Sequence, residues 1–178
     1  MLNRELWVSR ILWAAIFGTT VVLLGVLAVW DQVGPGSPTA LPLPVLGALG
    51  VAAVVDAVLS VLLPKNIYAR GLRSLGLETR ERPQAERLFA DRPRRARVFG
   101  DPAGARARAV PLFRTSHILG MALSECVCIL GFVLKMLGGS WWVSLPFFLV
   151  TWLLLSTKFP RPTEVEAGLE RVYEADLG

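Results

Sequence analysis

Two carboxylates, Asp56 and Glu125, are the only acids set inside the long apolar blocks of this 178-residue sequence. A carboxyl group in apolar surroundings tends to hold a proton at neutral pH and to release it when water or a positive charge approaches. Kept ionised at the centre of a membrane helix, an Asp costs about 2.5–3.5 kcal/mol on insertion scales, so such residues turn toward protein or water. Asp56 lies eight residues before Pro64, and Glu125 lies eight residues beyond His117. In two helices of opposite direction that spacing sets both groups about 12 Å from the same boundary, at about 1.5 Å per residue. They are expected to meet between those helices, where two carboxyls in one dry site cannot both ionise cheaply. Asp56 and Glu125 are therefore the candidate ion-binding residues. Two readings of them stay open: a protonatable site inside a bilayer, or neutral hydrogen-bonded carboxyls that hold helices together.

The elements that must position these groups follow from hydropathy. Hydrophobic residues make up 53% of the chain, and they gather into four blocks instead of recurring at one period. Ile11 to Trp30 is 20 residues without a charge, enough to cross a hydrocarbon core of roughly 30 Å. Ala40 to Leu63 is broken only by Asp56, and Ser116 to Leu134 only by Glu125. Ser140 to Thr157 carries no charge and is the shortest block. The expected fold is all-α: a polytopic membrane protein with four transmembrane helices and both termini cytoplasmic. Its parts are a first hairpin over 1–63 (spans about 8–30 and 40–63) and a basic cytoplasmic loop over 64–114. A second hairpin covers 115–159 (spans about 115–137 and 140–158), and a cytoplasmic amphipathic tail covers 160–178.

Charge sets the orientation. Pro64 to Arg114 holds thirteen of the nineteen Lys and Arg residues, whereas Asp31 to Thr39 and the Gly138-Gly139 turn hold none. By the positive-inside rule the long loop faces the cytoplasm, and Arg4, Arg10, Lys158 and Arg161 agree from the other span ends. Arginines beside spans also meet anionic lipid headgroups, at about 1 kcal/mol each. The expected partners are the bilayer, those headgroups at the basic loop, and further copies of the chain or another membrane protein. The pI of about 9.9 is mostly this loop, and no nucleic-acid motif accompanies it, so no nucleic-acid partner is expected. Cys126 and Cys128, two apart, point to different sides of one helix and read as packing residues. No Cys/His spacing suits a metal, and no nucleophile–base pair or phosphate loop is visible. The chain is accordingly expected to be no enzyme and to need no cofactor or metal.

Between the spans, Ile67, Leu72, Leu75 and Leu77 alternate with Arg70 and Arg73 as in a helix lying on headgroups. Pro83, Pro93 and Pro102 limit helix from Arg80 to Val110 to short pieces, Gln84 to Asp91 being one, and the rest reads as a tether. In the tail, Thr163 and Glu166 have the spacing of a capping box, with Val165, Leu169 and Val172 at helical period behind it. Small residues line both inner spans: Gly50, Ala53, Ala57 and Ser60 in one, Gly120, Ser124 and Cys128 in the other. In lipid such stripes let helices approach closely.

The run Ala122-Leu-Ser-Glu125-Cys-Val-Cys-Ile129-Leu-Gly131-Phe-Val133 resembles the ion-binding helix of rotary ATPase proteolipids, the ATP synthase c subunits. The resemblance implies that Glu125 carries a translocated proton or cation. Gly47-Ala-Leu-Gly50-Val-Ala-Ala is similar to the first helix of that family, although the long loop, the outer spans and Lys135 depart from it. Over its whole length the chain resembles a family of uncharacterised bacterial four-span membrane proteins. They share the Ala-x-x-Glu helix, the short fourth span and a Pro-containing exit, here Phe159-Pro-Arg-Pro162. Together these readings imply a small bacterial inner-membrane protein that packs with itself or a membrane partner, with Glu125 as a buried protonatable carboxylate in the third span. The alternative is a proton- or cation-translocating proteolipid-like component.

Overall fold

The computed structural model of the chain describes residues 6–33, 41–81 and 97–177. It is helical, in the order α1 (Trp7–Val33), α2 (Leu43–Ser74), α3 (Pro102–Met136), α4 (Trp141–Thr157) and α5 (Pro162–Tyr173). Short strands β1 (Thr79–Glu81) and β2 (Arg97–Phe99) precede α3, and β3 (Ala175–Asp176) follows α5. Helices α1, α2 and α3 are long and apolar enough to cross a membrane, and α4 with α5 beyond a 72° bend is a fourth candidate. The expected spans therefore reappear as helices, α4 the shortest of the four.

Helix α3 is the central one, buried along much of its length, while α1 and α2 turn Val21, Val22, Val51, Val54 and Leu62 outward. An apolar surface of that kind is compatible with helices in a membrane, where contact between helices depends on close approach instead of water exclusion. Two glycines of α3 supply the approach. A Cβ on Gly120 would lie 2.8 Å from the Pro64 ring and 3.3 Å from the Ser60 carbonyl oxygen of α2. A Cβ on Gly131 would lie 2.6 Å from Phe147 Cβ and 3.1 Å from the Ser144 carbonyl oxygen of α4. The small-residue stripe of α3 thus serves several neighbours. Gly120 meets α2, and Cys128 packs with Leu27 of α1 and Phe148 of α4.

At the end of the bundle where both ends of the described chain lie, a second core forms. Leu6, Leu72, Phe99, Ala105, Ala109, Val110, Phe113, Val165, Leu169, Ala175 and Leu177 are buried together there. This core corrects three expectations. The separate interfacial helix after the second span does not exist, because α2 runs unbroken through Pro64 to Ser74. Pro64 removes only the hydrogen bond to its own i−4 carbonyl, that of Ser60, and Gly120 packs over that point.

The loop is also more than a tether. Pro102 starts a helix instead of limiting one, since Asp101 caps it by accepting from Gly104 N–H (2.9 Å) and a proline at the first turn loses no hydrogen bond. Ala105, Ala109, Val110 and Phe113 then recur on one face and bury it. The expected piece Gln84 to Asp91 lies outside the described residues. Finally, Thr163 is not the N-cap of the tail helix. Helix α5 starts at Pro162 with Arg161 as N-cap and no side-chain cap, the fixed φ of proline deciding the first turn.

Strand pairing closes this end. β1 pairs antiparallel with β2 (Thr79 opposite Phe99, Glu81 opposite Arg97), and β2 pairs parallel with β3. Tyr173 ties α5 to the end of α2, its hydroxyl donating to the Leu72 carbonyl and accepting from Leu77 N–H at 3.3 Å. Gly76, at φ +56°, makes the left-handed turn out of α2. Tyr68 donates to the Val165 carbonyl at 3.2 Å, and its ring passes so close to Gly168 that a Cβ there would lie 2.4 Å away.

Candidate functional site

Glu125 sits on the outward stripe of α3. Ile118, Ala122, Ile129 and Val133 are exposed at one-turn or two-turn spacing around it, and Glu125 itself is half-exposed. Its neighbour Ser124 is completely buried. One residue is a rotation of about 100° on a helix, and that step decides which of the two enters the bundle. The serine enters because Gly120, one turn earlier, fixes the inward face of α3 against α2.

Asp56 is half-exposed on α2, between Ala53 and Ser60, which are buried. Both carboxylates lie close enough to Cys126 for their charges to act on its thiol. Among the described residues neither carboxylate receives a hydrogen bond or an ion pair. The structure thus brings the two predicted residues to one seam without joining them. It also leaves Glu125 on the outside of a single copy, where the sequence places a buried group. Cys126 is half-exposed at the same seam, whereas Cys128 is buried, and both thiols are free.

The position inside the bundle that a carboxylate was expected to fill is held by a cation. Lys158, which follows α4 and reads in the sequence as an orientation signal, folds back to donate to the Gly120 carbonyl (2.7 Å) and to Ser124 Oγ. Thr151 Oγ1 donates to the carbonyls of Phe147 (2.9 Å) and Ser124 (3.1 Å), completing a polar knot between α3 and α4. All of the acceptors are neutral, and no carboxylate pairs with Lys158 among the described residues. His117 lies against Lys158, stacks on Phe113 at 5.1 Å and is 8% exposed, with no hydrogen-bond partner for its Nε2. The sequence signal for this group was present but unspecific: one His and one Lys near span ends, and one Ser within the third span.

The opposite end of the bundle carries the second polar tie. Lys135 Nζ bonds Asp31 Oδ1 at 2.6 Å, Trp141 Nε1 donates to Asp31 Oδ2 at 2.8 Å, and the ammonium lies 5.0 Å from the centre of the Trp141 ring. The three residues come from α1, α3 and α4, so they fix the far ends of those helices together. Trp141, at the start of α4, thus anchors a carboxylate. Between these ends, Trp13 donates to the Leu155 carbonyl (2.8 Å) and Trp152 to Thr20 Oγ1 (2.9 Å), joining α1 to α4.

No protein-family model, curated protein or solved structure matches this chain.

Proposed function

We propose that the chain is a bacterial inner-membrane protein with four spans and both termini cytoplasmic, and that it assembles with a second copy of itself through the α2–α3 seam. One observation carries the reading. Asp56 and Glu125 lie half-buried at mid-span, on an otherwise apolar face, with no hydrogen-bond or ion-pair partner among the described residues. Polar groups at that depth rarely face lipid. A two-fold axis along the membrane normal sets the same seam of another copy against this one, so that each carboxyl finds a carboxyl. Protonated, such a pair is neutral and hydrogen-bonded, and in lipid an interhelical hydrogen bond contributes about 0.6–2 kcal/mol. The apolar neighbours Ile118, Ala122 and Ile129 supply the packing around it.

The second reading, proton or cation translocation in the manner of rotary ATPase proteolipids, draws on the same unpartnered Glu125. A carboxyl with no counter-charge among the described residues is free to exchange a proton with a passing group.

Mass measured in nanodiscs tests the first reading. A value twice the 19.4 kDa of one chain is expected, falling to one chain mass for Glu125→Ala with Asp56→Ala. Cys126 should cross-link between copies under mild oxidation and Cys128→Ser should leave that yield unchanged, because only Cys126 reaches the seam. A monomer without cross-linking overturns the assembly. A ring of many copies, together with proton flux in vesicles that Glu125→Gln abolishes, establishes translocation instead.

A further inference from the structure

A cleft of about 480 Å³ opens between α2, the middle of α3 and α5, at the basic end of the bundle. Its inner wall is apolar, with Val61 and Pro64 of α2 beside Phe113 and Gly120 of α3. Its polar groups are unbalanced in sign: Lys65, Lys158 and Arg171 line it against a single acid, Glu164. Burial holds the Glu164 carboxyl above its ordinary value, with Arg161 opposing. None of the three cations pairs with a carboxylate among the described residues. His117 also lines the cleft, nine-tenths buried; its imidazole hydrogen-bonds the Lys158 backbone, and its Nε2 has no partner among the described residues. A buried imidazole nitrogen without a partner is uncommon enough to call for a ligand group.

Depth identifies the ligand class. Lys65 is the first charge after the apolar run of α2, and Lys158 is the first after α4, so the cleft lies where the bilayer passes from acyl chains to headgroups. Below it, Val61, Leu62 and Val58 of α2 face outward and continue the apolar wall along the hydrocarbon. A cationic mouth over an apolar track fits an anion that carries acyl chains. We propose that this cleft is a binding site for one anionic phospholipid. Lys65 and Arg171 hold its phosphate, the His117 imidazole and the Lys158 ammonium stand behind it, and the acyl chains lie along α2.

The seat belongs to each single copy and stands apart from the carboxylate seam, so it does not depend on self-assembly. It also gives the folded-back α5 a role, because Glu164, Gly168 and Arg171 of that helix close one side of the cleft. The lipid therefore bridges the bilayer part of the molecule and its water-facing core.

Native mass spectrometry of protein released from vesicles of equal phosphatidylglycerol and phosphatidylcholine tests the proposal. One phosphatidylglycerol per chain is expected to be retained in preference to phosphatidylcholine. Lys65→Gln with Arg171→Gln removes two exposed cations that make no hydrogen bond or ion pair among the described residues. It should lower that preference by about thirtyfold, a factor of about five for each cation near a membrane surface. Arg73→Gln with Arg108→Gln, also exposed and outside the cleft, should change it little. His117→Phe, which preserves the ring stack on Phe113, should weaken retention in the same direction. Equal retention of the two lipids by the unaltered protein overturns the site. So does an equal loss in the Arg73/Arg108 pair, which would make the attraction a diffuse surface effect. Thermal stabilisation by inorganic phosphate matching that by phosphatidylglycerol, at equal phosphate concentration, assigns the cleft to a free anion and overturns the lipid.

Discussion

The two halves of this molecule are held together by different physics. In the bundle between Gly120 and Lys135, contact is made by glycines that let backbones touch, and by side chains that donate to the carbonyls of other helices. At the basic end, contact is made by Leu6, Leu72, Phe113, Val165 and Leu169, packed as in any water-soluble core, with a small sheet as its rim. On the membrane reading proposed above, the reason is the solvent. Leucine gains nothing by leaving lipid for another leucine, so the bilayer half selects close approach and hydrogen bonds. Water rewards the removal of apolar surface at about 25 cal/mol per Å², so the other half selects volume. One chain writes both codes, and α2 and α3 cross from one to the other without a break.

Truncating the water-facing core should produce the largest effect. Leu169 is fully buried, and Leu169→Ala should cost about 2–5 kcal/mol, read as a loss of melting temperature in detergent by circular dichroism. The loss should be accompanied by faster proteolysis around the β1–β2 connection, while the spans stay helical. A substitution that unfolds the spans equally would erase the contrast between the two halves.

A smaller effect is expected inside the bundle, and in the opposite chemical sense. Gly131→Ala adds apolar volume, yet its Cβ meets Phe147 and a backbone oxygen, so the α3–α4 contact must open at a cost of about 1–3 kcal/mol. The same measurement checks it, together with mobility of a spin label at Leu149. If Gly131→Ala stabilises the protein, the bundle is packed by volume like the other half.

The smallest effect belongs to the charged surface. Arg106 and Glu166 form an ion pair at 3.0 Å that ties α3 to α5, but both side chains are about one-third exposed. Arg106→Ala should change stability by less than about 1 kcal/mol, and the change should shrink further as salt is added. A larger loss would mean that α5 is held by charge and not by Val165 and Leu169.

The four apolar blocks were legible in the sequence, since an uncharged run of about 20 residues has few other uses, but two helix ends were not: α2 runs past Leu63 to Ser74 and α3 already begins at Pro102. The expected helical tail and the small residues of α3 were legible too, because amphipathic period and residue size are local properties. What the sequence left open was which way each helix faces. Ser124 and Glu125 are neighbours, and no local pattern states that Gly120 fixes the serine inward and leaves the carboxylate outside. Nor does the order of residues show that Lys158, thirty-four positions from Ser124, folds back to bond it. The core at the basic end gathers Leu6, Phe99, Phe113 and Leu169 from four separate segments, of which the sequence marked only the tail helix as having an apolar face. Hydropathy belongs to a segment and can be read from it alone. Facing and burial belong to contacts between segments, and only the packed chain, with its glycines at the crossings, decided them.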